Sequence, residues 1–206
     1  PPLIVAIDGP SGAGKSTVAR ALARRLEVPY IDTGAMYRAV GLAAKERGIR
    51  LPVADPEEVA SIADSIGLEL ATSPEGSRIL LDGRDVSAEI RRPEISLYAS
   101  AVSAIPAVRR VLVREQQRLG RSRGGVMEGR DIGTHVFPET PHMFFLTASA
   151  RVRARRRTEE LAQRGTPEPD DVVLGEVAFL LLEPGPDRPR AVRVVEGAGV
   201  RTAQVD

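Results

Sequence analysis

Fifteen residues near the start of the chain, Leu3-Ile4-Val5-Ala6-Ile7-Asp8-Gly9-Pro10-Ser11-Gly12-Ala13-Gly14-Lys15-Ser16-Thr17, constrain its fold more than any other stretch. A short β-branched run leads into the pattern G-x-x-x-x-G-K-[ST], and helix formers follow. That order demands a strand, a glycine-rich loop and a helix N-terminus in direct succession. The glycines let backbone N–H groups approach an anion closely, and the opening helix turns the positive end of its dipole to the same place. Lys15 is placed to reach the outer phosphates of a nucleotide, and the Ser16 hydroxyl is placed to hold Mg²⁺. Lysine is scarce here: the chain has only Lys15 and Lys45 among its 29 basic residues. A lysine retained in an arginine-rich chain fits a compact point charge set among phosphates.

The rest of the chain supplies the elements that such a start requires. Val28 to Ile31, Gly125 to Glu128 and His142 to Leu146 read as further short buried strands. Ser16 to Leu26, Met36 to Arg47, Glu94 to Ser103, Ala107 to Leu119 and Ser149 to Gln163 read as helices, with a break at Pro106. Strands alternating with helices predict a three-layer α/β fold on a mostly parallel sheet. Between Leu51 and Ile90 the character changes. A capped helix from Asp55 to about Ile66 precedes two strands, Leu68 to Thr72 and Arg78 to Leu81, joined through Ser73-Pro74-Glu75-Gly76. This block reads as an inserted subdomain in a single-domain chain of 206 residues.

Composition narrows the function classes. Hydrophobic residues make up 42 % and aromatics 3 %, so the core is mainly aliphatic. Without cysteine there are no disulfides and no thiolate metal sites. The formal net charge of +1, with arginine and acid interspersed, argues against a bulk nucleic-acid binder. No apolar run approaches the ~20 residues of a membrane span. The expectation is a monomeric cytoplasmic enzyme with small-molecule substrates.

In such a sheet, ligands bind beyond the C-terminal ends of the strands. Gly9 to Ser16, Asp32 and Thr33, Glu128 to Asp131, and Thr147 onward all fall there, and Thr33 is a substrate-binding candidate on that ground. Arg38 lies one helical turn beyond Asp32-Thr33-Gly34. It is suited either to clamping a second phosphate bidentately or to a surface ion pair. Ser100 and Arg109 are anonymous by themselves. Arg130 and Asp131 suit the ligand edge or a buried ion pair. The run Arg151-Val152-Arg153-Ala154-Arg155-Arg156-Arg157 suits a mobile cationic flap or a solvated helix face.

Six segments together carry a resemblance: IDGPSGAGKST, DTGAMYRAV, LDGRDVSAEIR, ASAVSAIPAVR, EGRDIGTHVFP and FFLTAS. In this order and spacing, from Ile7 to about Gly165, the chain resembles the bacterial cytidylate kinases, P-loop enzymes that phosphorylate CMP and dCMP with ATP. The resemblance implies that Gly9, Pro10, Ser11, Gly12, Ala13, Gly14, Lys15, Ser16 and Thr17 hold the ATP phosphates and Mg²⁺. It implies that Arg38 and Arg130 hold the acceptor phosphate, and that Ser100, Arg109 and Asp131 hold the cytosine ring. Arg153, Arg156 and Arg157 then belong to a lid, residues 149–170, that closes over ATP. Lys15, Arg38, Arg130 and Asp131 form the expected catalytic set. The inserted block becomes the monophosphate-binding subdomain.

A carboxylate at Asp131 accepts from the exocyclic amino group of cytosine and repels the carbonyl that uracil carries there, so it suits base selection. A GTPase reading fails, since guanine recognition there uses N-K-x-D and this chain has no asparagine. A P-loop kinase for another small acceptor, or an inactive nucleotide binder, are the remaining alternatives. The tail keeps the second of these open. From Ala178 the chain departs from the family's pattern, with Pro184, Pro186 and Pro189 where a helix carrying substrate contacts is expected. The last core strand is accordingly expected to be missing, leaving an unpaired sheet edge.

Overall fold

Short β-branched runs alternating with amphipathic stretches give this chain an α/β fold on a mostly parallel sheet. The computed structural model describes residues 2–73, 76–163, 192–196 and 199–203. In chain order the elements are β1 (Ile4–Asp8), α1 (Lys15–Leu26), β2 (Tyr30–Asp32), α2 (Thr33–Glu46), α3 (Pro56–Ser65), β3 (Leu68–Ser73), β4 (Gly76–Leu81), β5 (Arg84–Asp85), α4 (Pro93–Ser103), α5 (Pro106–Arg123), β6 (Gly125–Gly129), β7 (Met143–Thr147), α6 (Ala150–Gln163), β8 (Val192–Glu196) and β9 (Gly199–Ala203). A 3-10 turn spans Glu89–Arg91 and a π turn spans Ile132–Val136. The chain packs as two compact units: residues 1–4 with 22–127, and residues 5–21 with 128–206.

In the first unit, β2 lies beside β6, tied by a Val126 N–H that donates to the Pro29 carbonyl at 2.8 Å. The helix expected from Met36 starts three residues earlier, because Asp32 caps it and accepts from the Ala35 N–H at 3.0 Å. Its core face, including Met36, Ala39, Val40 and Ala44, is fully buried. It packs against α4, where the Tyr98 hydroxyl donates to the Ile49 carbonyl at 2.8 Å. The predicted break at Pro106 is present: α5 opens on that proline, and α4 and α5 meet at a 100° bend. Residues 51–90 form α3 and the antiparallel sheet β3–β4–β5, with Leu68 opposite Leu81 and Ser73 opposite Gly76. Arg84 in β5 binds Glu46 of α2 at 2.6 Å and Glu89 at 2.9 Å.

In the second unit the strands run β1-β7-β8-β9. β1 and β7 are parallel, with Ala6 opposite Met143 and Asp8 opposite Phe145. β8 continues the parallel set, with Phe144 opposite Arg193 and Thr147 opposite Glu196, and β9 turns back antiparallel. The expectation of a lost last strand is therefore corrected. The stretch Val-Arg-Val-Val-Glu, followed by Gly-Ala-Gly, is β-branched and punctuated as a hairpin, and it takes the edge beside β7. The proline-rich run from Ala178 to Arg190 and the expected lid tip, Gly165 to Asp170, lie outside the described residues.

Candidate nucleotide site

The loop between β1 and α1 is held open as a cradle. Gly9 has φ 145°, and a Cβ there would stand 2.0 Å from the Leu146 carbonyl oxygen, so β7 admits no side chain at this point. Helix α1 begins at Lys15 and has no acidic residue in its first turn. Its leading N–H groups and dipole thus meet no acidic side chain from within the helix itself. The Lys15 ammonium donates to the Pro10 carbonyl at 2.9 Å, within its own loop. The Ser16 hydroxyl donates to Glu128 Oε2 at 3.0 Å. Glu128 is itself buried, 4 % exposed, at the end of β6.

Arg153 and Arg156, two of the arginines expected in a lid, reach this loop. Arg153 is 1 % exposed; its guanidinium donates to the Ala148 carbonyl at 3.1 Å and the Ser11 carbonyl at 3.4 Å. Burial lowers its pKa. Arg156 is exposed and donates to the Ala13 carbonyl at 3.0 Å and the Gly12 carbonyl at 3.4 Å. Arg157 is half-buried on the same helix, and Thr17 is exposed on α1. Arg153 thus sits as a strut between the cradle and the base of α6, while Arg156 keeps solvent access.

Arg130 and Asp131 follow β6 in the same unit. Asp131 is half-buried, and its carbonyl accepts from His135 N–H at 2.9 Å, from Thr134 N–H at 3.3 Å and from Val136 N–H at 3.4 Å. Its carboxylate stands 4.0 Å from His135 Nδ1. This ties the pair to the start of the π turn, a feature that recurs at functional positions.

The other expected residues belong to the first unit. Thr33 is buried at the start of α2. Arg38 is half-buried one turn later, and its guanidinium makes no hydrogen bond or ion pair with any described residue. Ser100 is exposed on α4, and its carbonyl accepts from the Ser103 hydroxyl at 2.8 Å. Arg109 is half-buried on the first turn of α5.

The sequence reading did not assign Asp8 or Glu128 a role. Each is a carboxylate closing an otherwise apolar strand, which is the signal that marks them. Asp8 is 4 % exposed and accepts from Ile132 N–H and Gly133 N–H, both at 2.8 Å. Its pKa is raised from 3.8 to about 6, chiefly by burial; the two N–H bonds pull the other way.

The family model described as "Cytidylate kinase" matches residues 5–179. The chain belongs to the cytidylate kinase family. It is 51 % identical over 164 residues to the cytidylate kinase of Symbiobacterium thermophilum, covering 79 % of this chain and 72 % of that protein. It is 50 % identical over 173 residues to the cytidylate kinase of Caldanaerobacter subterraneus, covering 84 % of this chain and 75 % of that protein. A bifunctional pantoate ligase/cytidylate kinase of Synechococcus is 49 % identical over 165 residues, which cover 79 % of this chain and 30 % of the longer protein. The cytidylate kinase match spans both compact units and ends just past Ala178, where the chain departs from the family's pattern. Among the described residues, no single helix is long and apolar enough to cross a membrane.

Proposed function

We propose that this member of the cytidylate kinase family transfers the γ-phosphoryl group of ATP to CMP or dCMP, giving ADP and CDP or dCDP, as a cytoplasmic monomer. One observation carries the reading. The cradle places an ammonium, a hydroxyl backed by a buried carboxylate, and a helix N-terminus together at the end of β1, and Arg130 and Asp131 belong to the same compact unit.

Each residue then has a part. Lys15 exchanges the Pro10 carbonyl for the β- and γ-phosphates and takes up charge as the transition state forms. Arg156 and Arg157 neutralise the triphosphate from the lid side. Arg38 is a half-buried cation with no described partner and suits the acceptor phosphate, as does the exposed Arg130. Asp131 accepts from the cytosine amino group; the family resemblance assigns Ser100 and Arg109 to the ring, and its place beyond a strand end assigns Thr33 to the acceptor. An oxygen of the CMP phosphate attacks the γ-phosphorus in line. The bond from that phosphorus to the bridging β-oxygen breaks, and ADP leaves. No covalent enzyme intermediate is needed, so positioning and charge stabilisation supply the catalysis.

The donors present fit Mg²⁺. The Ser16 hydroxyl is a hard oxygen ligand, and Mg²⁺ takes few protein ligands beside water and substrate phosphates. Ser16 would hold the ion, with Glu128 orienting its hydroxyl. When bound, the ion neutralises charge on the β- and γ-oxygens.

A coupled ADP-release assay over CMP, dCMP, UMP and AMP tests the reading. Release with CMP and dCMP well above that with UMP and AMP is expected. Equal rates with all four, or preference for another acceptor, overturn it.

A further inference from the structure

Asp8 is a buried charge to which the reaction above gives no task. It ends β1 one residue before the cradle opens, and its two carboxylate oxygens each accept one main-chain N–H, from Ile132 and from Gly133, at 2.8 Å. Those two groups open the π turn that follows Arg130 and Asp131 directly. Leading N–H groups of a helical turn have no acceptor within the turn, and buried ones need a partner. A charged acceptor satisfies both with short, directional bonds. Within the turn, the Asp131 carbonyl accepts from the N–H groups of Thr134, His135 and Val136. The turn is also pressed against β7: a Cβ at Gly133 would stand 2.5 Å from Met143 Cγ and Cε. The turn that follows Arg130 and Asp131 is thus held at its start by Asp8, closed internally on the Asp131 carbonyl and backed by Met143 of β7.

We infer that Asp8 is the positioning residue for the acceptor-reading pair: by holding the N–H groups of Ile132 and Gly133, it sets the direction in which Arg130 and Asp131 leave the backbone, and so the fit of the acceptor nucleotide. The inference rests on the proposed reading of Asp131 as the cytosine acceptor. Asp8 touches no substrate and acts through the turn. Its place at the junction of β1 and the phosphate cradle means that one residue ties the donor loop to the acceptor loop. Asparagine would fill the same volume but keep one acceptor, and its amide would turn a donor toward the second N–H. The grip also depends on charge. The charged groups facing Asp8 are Asp131, which favours its protonation, and Lys15, which opposes it.

The test compares the parent with Asp8→Asn. Parent turnover with CMP is measured first, so a failure of the functional reading shows there and not in the variant. In the variant, KM for CMP is expected to rise about tenfold or more and the preference for CMP over UMP to narrow, with KM for ATP within about twofold of the parent. A purely structural role would move both substrates together through loss of folded protein, and that outcome overturns the inference. So does an unchanged KM for CMP. A second measurement needs no variant. In the labelled parent without substrate, the Asp8 carboxyl carbon and the Ile132 and Gly133 amide protons are followed by NMR against pH. They are expected to titrate together, with a midpoint near 6. Amide protons that do not follow the Asp8 carboxyl carbon would show that it holds no grip on the turn.

Discussion

Lys15 lies partly buried in its own loop and donates to the Pro10 carbonyl. In the proposed reaction its value is the charge it brings to the phosphates. Lys15→Ala is accordingly expected to lower kcat by roughly 10²–10³ while the melting temperature stays close to the parent's. Near-parental turnover would remove the lysine from the reaction. In the proposed reaction Asp131 acts on the acceptor instead. Losing a charged acceptor for a buried donor costs ~1.5–3 kcal/mol, roughly ten- to a hundredfold in affinity. For Asp131→Ala, kcat/KM with CMP should fall by that factor while that with UMP changes little; equal losses for both would make Asp131 structural. At this scale the cradle was legible because its chemistry is written in consecutive residues. Asp8 and Glu128 were not, because their partners lie 124 and 112 positions away in the chain. What an apolar strand ending in a carboxylate can show is that the charge needs a partner, not which one.

At the scale of elements, capping and punctuation fixed most boundaries. Asp55 and Pro56 announce α3, and the Asp55 carboxylate accepts from Glu57 N–H at 2.9 Å and Glu58 N–H at 3.2 Å. Asp55→Ala removes both bonds at an exposed helix start and is expected to lower stability by about 1 kcal/mol, read as a shifted urea midpoint with an unchanged slope. Elements without periodicity were not legible. The two-residue β5 and the π turn at Ile132–Val136 are too short to show one, and the turn exists because buried Asp8 and the Asp131 carbonyl meet its N–H groups. The strands β8 and β9 carried a readable signal, β-branched runs around Gly-Ala-Gly, which the absence of family pattern in the tail obscured. Backbone pairing does not need that pattern. Ending the chain at Arg190 would uncover the four positions of β7 that β8 pairs, Phe144 to Thr147. The shortened protein is expected to melt about 4 °C lower or more, since 1 kcal/mol corresponds to ~2–4 °C at this size. Its open edge should also favour self-association, seen by light scattering. An unchanged melting temperature would mean that the edge pairing adds nothing to stability.

For the molecule as a whole, Asp8 sets stability against function. Its folded pKa, about 6, lies above the ordinary 3.8 of an unfolded chain. A raised carboxyl pKa means that the folded protein holds the proton more tightly than the unfolded chain does. The associated stability is fully present below 3.8 and is lost as pH rises through 6. The separation between 3.8 and about 6 corresponds to on the order of 3 kcal/mol. At neutral pH the fold therefore carries a charged group that it would be more stable without, as is common where a site needs charge in a dry place. Asp8→Asn cannot titrate, so the difference in unfolding free energy, parent minus variant, isolates the group. That difference is expected to fall by roughly 2–2.5 kcal/mol between pH 4 and pH 7, measured by urea unfolding at closely spaced pH values. A flat difference would mean that the buried carboxylate is fully compensated and titrates like an exposed one. If the difference has the expected slope and affinity for CMP moves the opposite way, weakening as Asp8 is protonated, the two trends separate a residue that merely packs from one retained for what it aims. A packing residue raises stability and binding together. A positioning charge raises binding while it lowers stability.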